Sequence, residues 1–267
     1  MKRYWSGLRG HKMISEITSN NNPAIKYACS LSSAKSRAQT KQHFIEGEKL
    51  VHEAVISGVS LTHVFADIST VAEAFAAYCD HVYIVPRHVM EKMCESRTPQ
   101  HVCAIACTPD YSSDPQSVCP GFLVALDAVQ DPGNVGTIIR TSDAFGASGV
   151  LLGTGCADPF SGKVIRASMG SVYHLPICRS ENLSRSLTEL KDAGAQLICG
   201  HLDGSSELSL DAEHVVIVIG NEGNGVSGPV ADLCDLYRIP MKGKAESLNA
   251  SVAASIMIYS IANSISF

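Results

Sequence analysis

Residues 215–219 read Val-Val-Ile-Val-Ile, a run of five β-branched residues with no polar face. Such a run suits a strand buried on both sides and leaves no room for the one-sided pattern of a surface helix. Phe122 to Leu126 is a second wholly apolar run, and Gly149 to Leu152 and Gln196 to Cys199 read as further strands. Helical patterns alternate with them over Val135–Phe145, Ser161–Met169 and Ser184–Asp192. A long helix, Ser247 to Ile261, closes the chain with small and apolar residues on most of its faces. Strands without a polar face, alternating with helices, predict an α/β fold around a parallel sheet covered on both sides.

A second, smaller unit precedes this block. Lys49–Ser57 and Thr70–Cys79 are helical in pattern, while Leu61–Ala66, Val82–Val85 and Val102–Cys107 are extended and apolar, which makes a small α/β layer. Pro, Ser and Asp crowd Thr108 to Ser117, and no apolar periodicity crosses that stretch, so it reads as a linker. The expected division is a basic extension over 1–40, a small domain over 41–108, a linker over 109–120 and a larger domain over 121–267.

The net charge of −5 argues against a generally basic nucleic-acid binder, but the charge is unevenly spread. Residues 1–44 hold eight Lys or Arg against one acid, Glu16; that segment is +7, and the remainder is −12. Lys35, Arg37 and Lys41 lie in this basic arm, which is either a phosphate footprint or a solvated tail.

Ten cysteines are scattered through apolar runs without a C-x-x-C pair or a second metal half-site, so they read as buried, reduced thiols in a cytoplasmic protein, and no metal is expected. No apolar run approaches the roughly 18 residues of a membrane span, and Met1–Lys12 lacks the apolar centre of a secretory signal.

Three glycine- or loop-rich segments follow strand-like runs. They are Asp131-Pro132-Gly133-Asn134-Val135-Gly136-Thr137-Ile138-Ile139-Arg140, Ile219-Gly220-Asn221-Glu222-Gly223-Asn224-Gly225, and Ile239-Pro240-Met241 running to Ser247-Leu248-Asn249. Ligands of open parallel sheets sit outside the carboxyl ends of the strands. The G-x-x-G-x-G spacing after a late strand is not the dinucleotide fingerprint, and the Walker pattern is absent. Ser247 suits a helix N-cap. Arg140 lies six residues beyond Asn134, about 120° round a helix, so contact between them would rely on the long arginine side chain.

In their order and spacing these segments resemble the SpoU (TrmH-type) branch of the SPOUT methyltransferases. Phe44 to Ala54 resembles the substrate-binding domain that precedes many SpoU catalytic domains, itself similar to certain RNA-binding ribosomal proteins. Ile17-Thr18-Ser19 and Asn22-Pro23-Ala24-Ile25-Lys26 look like the family's usual opening, which makes Met13 an alternative start.

The resemblance implies S-adenosylmethionine-dependent methylation of a ribose 2′-hydroxyl in structured RNA, with ribosomal RNA ahead of transfer RNA. It also implies a C-terminal trefoil knot and a homodimer. Main-chain groups at Gly220, Ile239 and Leu248, with Gly200 and Met241 nearby, would hold the cofactor. Arg140 would act on the RNA, with Asn134 and Glu222 positioning it and the loops, and Ser247 and Asn249 on the hydroxyl and cofactor side. Lys163 and Arg166 match a further family segment and would meet RNA phosphate, against the competing reading of a solvated helix face. The rival from another class is a catalytically silent RNA-binding or assembly protein of the same fold. A nicotinamide oxidoreductase is a distant third.

Overall fold

The structure is a computed structural model; it describes residues 14–110, 121–207 and 209–264, so the Met1–Lys12 segment and most of the linker lie outside the described residues. The chain divides into two compact units between Thr108 and Pro109.

In the first unit the elements run β1 (Ile14–Glu16), α1 (Pro23–Ser30), α2 (Ala34–Thr40), β2 (Gln42–Glu46), α3 (Glu48–Ile56), β3 (Leu61–Ala66), α4 (Ser69–Phe75), β4 (His81–Ile84), α5 (Arg87–Met93) and β5 (Val102–Cys107). They build a five-stranded sheet in the order β1-β4-β3-β5-β2. The β1, β4 and β3 strands are parallel, whereas β5 runs antiparallel to both β3 and β2.

This corrects the extension drawn over 1–40. From Ile14 onward the chain is part of the folded unit, with Ile17, Ile25, Ala28 and Leu31 buried against Phe65, Val89 and Met90. Asn22 caps α1 by accepting from the Ala24 N–H at 2.8 Å, and Pro23 occupies the first turn. The lysines sit on the outer faces of these helices, which is why a charge count alone read the segment as a tail.

Arg37 is likewise corrected as a phosphate contact. It is 8% exposed, and its Nη1 donates to the carbonyls of Leu31 and Ser32 at 2.8 Å each, satisfying the chain just beyond the end of α1. Lys35 and Lys41 remain exposed.

The second unit contains β6 (Phe122–Leu126), α6 (Pro132–Ala144), β7 (Gly149–Leu152), α7 (Gly162–Ser168), β8 (Ile177–Arg179), α8 (Leu183–Asp192), β9 (Gln196–Ser205), β10 (Val215–Ile219), α9 (Gly228–Ala231), β11 (Asp235–Tyr237) and α10 (Ala250–Ala262). Its sheet has the order β11-β9-β10-β6-β7-β8, and every ladder is parallel. All five residues of β6 and all five of β10 are buried, as their lack of a polar face demands. From β6 the chain moves toward β7, and from β10 toward β11 on the opposite side. The order therefore reverses between these two adjacent central strands, where an open α/β sheet offers a crevice.

Two boundaries near the site differ from expectation. The β9 strand continues past Cys199 to Ser205, supported by its pairing with β11, a short strand whose mixed sequence hid it. The last helix begins at Ala250, not Ser247. Among the nine free cysteines described, Cys79, Cys103, Cys178 and Cys199 are buried and the other five are half-exposed, so the reading of uniformly buried thiols held only in part.

Candidate active site

The site is assembled at the crevice between β6 and β10. Asp131 caps α6, accepting from the Asn134 N–H at 2.9 Å, with Pro132 at the first helical position. Beside it, the carboxylate of Glu222 accepts from the main-chain N–H of Gln130 (3.2 Å), the N–H of Asp131 (3.0 Å) and Asn134 Nδ2 (3.0 Å). Burial raises the Glu222 pKa, but the Asn134 amide and the main-chain donors outweigh it and hold the carboxyl below its ordinary value. Glu222 thus fastens the loop after β10 to the start of α6.

The glycine loop has its own internal brace. Asn221 Oδ1 accepts from the N–H groups of Gly223 (2.9 Å) and Asn224 (3.1 Å), while its Nδ2 donates to the Ala128 carbonyl at 2.8 Å. The main chains of Asn221 and Gly225 exchange hydrogen bonds of 2.9 and 3.0 Å, and Gly225 takes a left-handed φ of 69°. Asp127 closes the far side, its Oδ2 accepting from the Ser227 N–H at 2.7 Å. Asn221 and Asp127 were not singled out in the sequence. An Asn opening a glycine-rich turn is the signal that would have found the first.

A Cβ added at Gly220 would collide with the main chain of Gly225 and Val226. The glycine is therefore required by the loop's own fold-back. Gly136 is a second close approach that went unremarked: its Cα faces α7, where a Cβ would lie 2.8 Å from the Val164 carbonyl oxygen. That proximity sets the α6–α7 packing.

Arg140 is exposed and makes no hydrogen bond or ion pair among the described residues. Asn134 on the same helix is 7% exposed, so the two occupy different faces, and no hydrogen bond or ion pair joins it or Glu222 to Arg140. Thr141, next to Arg140, meets Ser255 of α10 at 3.2 Å between hydroxyl oxygens.

Asn249, not Ser247, is the N-cap of α10. Its Oδ1 accepts from the N–H of Ser251 (2.9 Å), the N–H of Val252 (3.3 Å) and the Ser251 hydroxyl (2.7 Å). Ser247 sits exposed in the loop before it. Ile239 and Leu248 are half-buried and Met241 is exposed. The Gly200 Cα faces α10, leaving 3.1 Å between a built Cβ and Met257 Sδ. Lys163 is exposed on α7, and Arg166 is half-buried on the same helix.

Residues 121–259 match the model of the SpoU rRNA methylase family, and residues 22–104 match that of the MRM3-like substrate-binding domain. The chain is 34% identical over 247 residues to a 23S rRNA (guanosine(2553)-2′-O)-methyltransferase, RlmP, of Bacillus subtilis, covering 91% of this chain and 98% of that protein. This chain belongs to the SpoU methylase family. An AdoMet-bound rRNA methyltransferase from Sinorhizobium meliloti superposes with a TM-score of 0.86 at 34% identity, over 95% of this chain and 99% of the other. The SpoU methyltransferase AviRb of Streptomyces viridochromogenes, in complex with AdoMet, gives 0.80 at 25% identity, over 91% and 98%. The substrate-domain match of this SpoU enzyme begins at residue 22, well inside the segment first read as an extension.

In this SpoU methylase the Glu222 link offers a direct check. Glu222→Gln presents one acceptor and an NH₂ group to three donors, so we expect a loss of about 1–2 kcal/mol of stability, the lower part of the range for charged hydrogen bonds because the side chain is exposed. Urea unfolding measures it. Since the folded-state pKa is lowered, the wild-type advantage is complete above the usual carboxylate range and disappears as pH falls through the lowered value. Identical stability of the two proteins at neutral pH would remove Glu222 as a fastener.

Proposed function

We propose that the protein transfers a methyl group from S-adenosylmethionine to a ribose 2′-hydroxyl of structured RNA, with ribosomal RNA ahead of transfer RNA. The observation that carries this reading is the end-to-end likeness to a ribosomal RNA 2′-O-methyltransferase, combined with an exposed Arg140 on the helix that Glu222 anchors.

The residues present fit an adenosyl ligand held by the main chain. No main-chain N–H or C=O of residues 239–248 is hydrogen-bonded among the described residues, although Ile239 and Leu248 are half-buried. Main-chain groups left uncommitted by the fold can pair with a ligand bearing donors and acceptors. Ile239, Met241 and Leu248 would hold it together with Gly220, and the trefoil knot implied by the family would bring these segments around it. When bound, S-adenosylmethionine supplies an electrophilic sulfonium methyl.

Arg140 contributes orientation. Its guanidinium cannot serve as an ordinary base, but it grips a phosphate bidentately and so fixes the neighbouring ribose hydroxyl. Ser247, exposed and uncommitted to a cap, is available to the hydroxyl. Asn249 acts by holding the start of α10. Lys163 and Arg166 face RNA phosphate, with Lys35 and Lys41 doing so in the first unit. On this reading the protein would work in the cytoplasm beside its RNA; no helix among the described residues is long and apolar enough to cross a membrane.

The test is to incubate the purified chain with isotopically labelled S-adenosylmethionine and ribosomal or transfer RNA lacking the modification. Ribose-methylated ribosomal RNA is the expected product. Label in neither RNA, from protein that binds S-adenosylhomocysteine, would reject the enzymatic reading in favour of a silent RNA-binding protein.

The same reading makes the protein a homodimer. Val252, Ile256 and Tyr259 form an exposed stripe on α10, at 47%, 37% and 57% exposure, and Tyr259 packs edge-on against exposed Phe145 at 5.6 Å. Apolar side chains at helical spacing on a surface mark an association face. Ile256→Glu should convert a dimer at micromolar concentration to monomer in sedimentation, because each copy would bury an unpaired charge. A wild-type monomer with full activity would contradict the assignment.

A further inference from the structure

On the first unit's sheet, the parallel register of β3 and β4 sets His63 opposite His81 and Phe65 opposite Tyr83. The His63 and His81 rings are 5.1 Å apart at 27°, and His63 lies 6.2 Å from Tyr83 at 26°. His81 and Tyr83 are separated by 6.5 Å with planes 5° apart, and Tyr27 of α1 leans over His63 at 6.1 Å. Phe65 roots the group in the core, fully buried, whereas Tyr27, His63 and Tyr83 are half-exposed and His81 is open to solvent.

A ladder of near-parallel rings that emerges from a core is more than packing requires. Packing would be served by aliphatic residues, and two imidazoles facing each other repel when charged. Burial, and after it the charge of His81, lowers the pKa of His63, which favours a neutral ring there. The Tyr27 hydroxyl donates to Gln42 Oε1 at 2.6 Å, which fixes that ring and draws together the chain around exposed Lys26 and Lys41. Asp80, next to His81, is the acid adjoining the group in sequence.

Resting on the RNA-methylating reading above, we propose that Tyr27, His63, His81 and Tyr83 form a stacking platform for an unpaired base of the RNA. Flat rings accept any base through its π-face, and flanking lysines meet the backbone phosphates. Protein interfaces also favour aromatic rings but are depleted of lysine, so exposed Lys26 and Lys41 beside the rings favour a nucleic acid here.

The test uses the full chain and a short single-stranded oligoadenylate containing 2-aminopurine, with the same strand annealed into a duplex as control. Wild-type protein should quench the fluorescence of the single strand and not of the duplex. His81→Ala should weaken single-strand binding by about ten-fold or more. His81→Tyr should retain it, because the ring and not the imidazole is required. Tyr27→Ala is the second arm, with circular dichroism and S-adenosylhomocysteine binding confirming an intact fold. Unchanged affinity and quenching in both alanine variants would overturn the platform, as would equal losses for single strand and duplex. No methyl transfer is read, so unchanged single-strand binding by the alanine variants rejects this inference and leaves the proposed function standing.

Discussion

Arg140→Ala should abolish methyl transfer while leaving the fold and cofactor affinity intact. The expected loss is roughly 10²–10³ in rate, or about 3–4 kcal/mol, the effect of removing a group that orients the nucleophile and stabilises developing charge. Fold and affinity are spared because the side chain is exposed and bonded to nothing among the described residues, so its removal leaves no buried group unsatisfied. Arg140→Lys should recover little, since an ammonium cannot reproduce a planar two-point grip. Single-turnover methylation with saturating donor measures the chemical step, and calorimetric titration with S-adenosylhomocysteine measures the pocket. Near-normal turnover in a folded alanine variant would take Arg140 out of the reaction.

Gly220→Val should show the opposite pattern, losing the pocket before the chemistry. The new side chain would sit on the main chain of Gly225 and Val226, so the fold-back closed by Asn221 and Gly225 could not form. Overpacking against a main chain costs about 3 kcal/mol; felt in full by the ligand, that is roughly a 100-fold loss of S-adenosylhomocysteine affinity. Unfolding temperature should fall as well, which separates this outcome from a side chain that merely blocks a ready-made pocket. Undiminished affinity would show that the loop tolerates opening and that the pocket lies elsewhere.

How far the sequence could be read depended on whether a residue's setting is local. Val215–Ile219 has only one place in an α/β unit whose sheet is covered on both faces, and its burial on both faces followed directly. The three loops at strand ends were visible for the same reason, since strand ends are where such a sheet leaves backbone free. Arg37 was misread because its partners, the carbonyls of Leu31 and Ser32, cannot be seen in a charge count. Ser247 and Asn249 both have cap chemistry, and only the path of the chain decides between them; it chose Asn249. The resemblance assigned Asn134 and Glu222 to positioning Arg140 and the loops, and their bond to each other was not visible in it. Their distances and the donors they share with Gln130 and Asp131 came only with the fold.

The Glu222 carboxylate grips main-chain groups 91 and 92 positions earlier in the chain. A contact of that span closes only after the intervening strands have found their places, so the anchorage of the glycine loop is a late product of folding. While the chain is still emerging from its own ribosome, the first half of the centre waits without its fastener. The glycine loop is therefore no portable module: transplanted without the start of α6, it would keep the Asn221 turn and lose its anchorage. The anchorage of the loop and the completion of the sheet are thus coupled through one side chain.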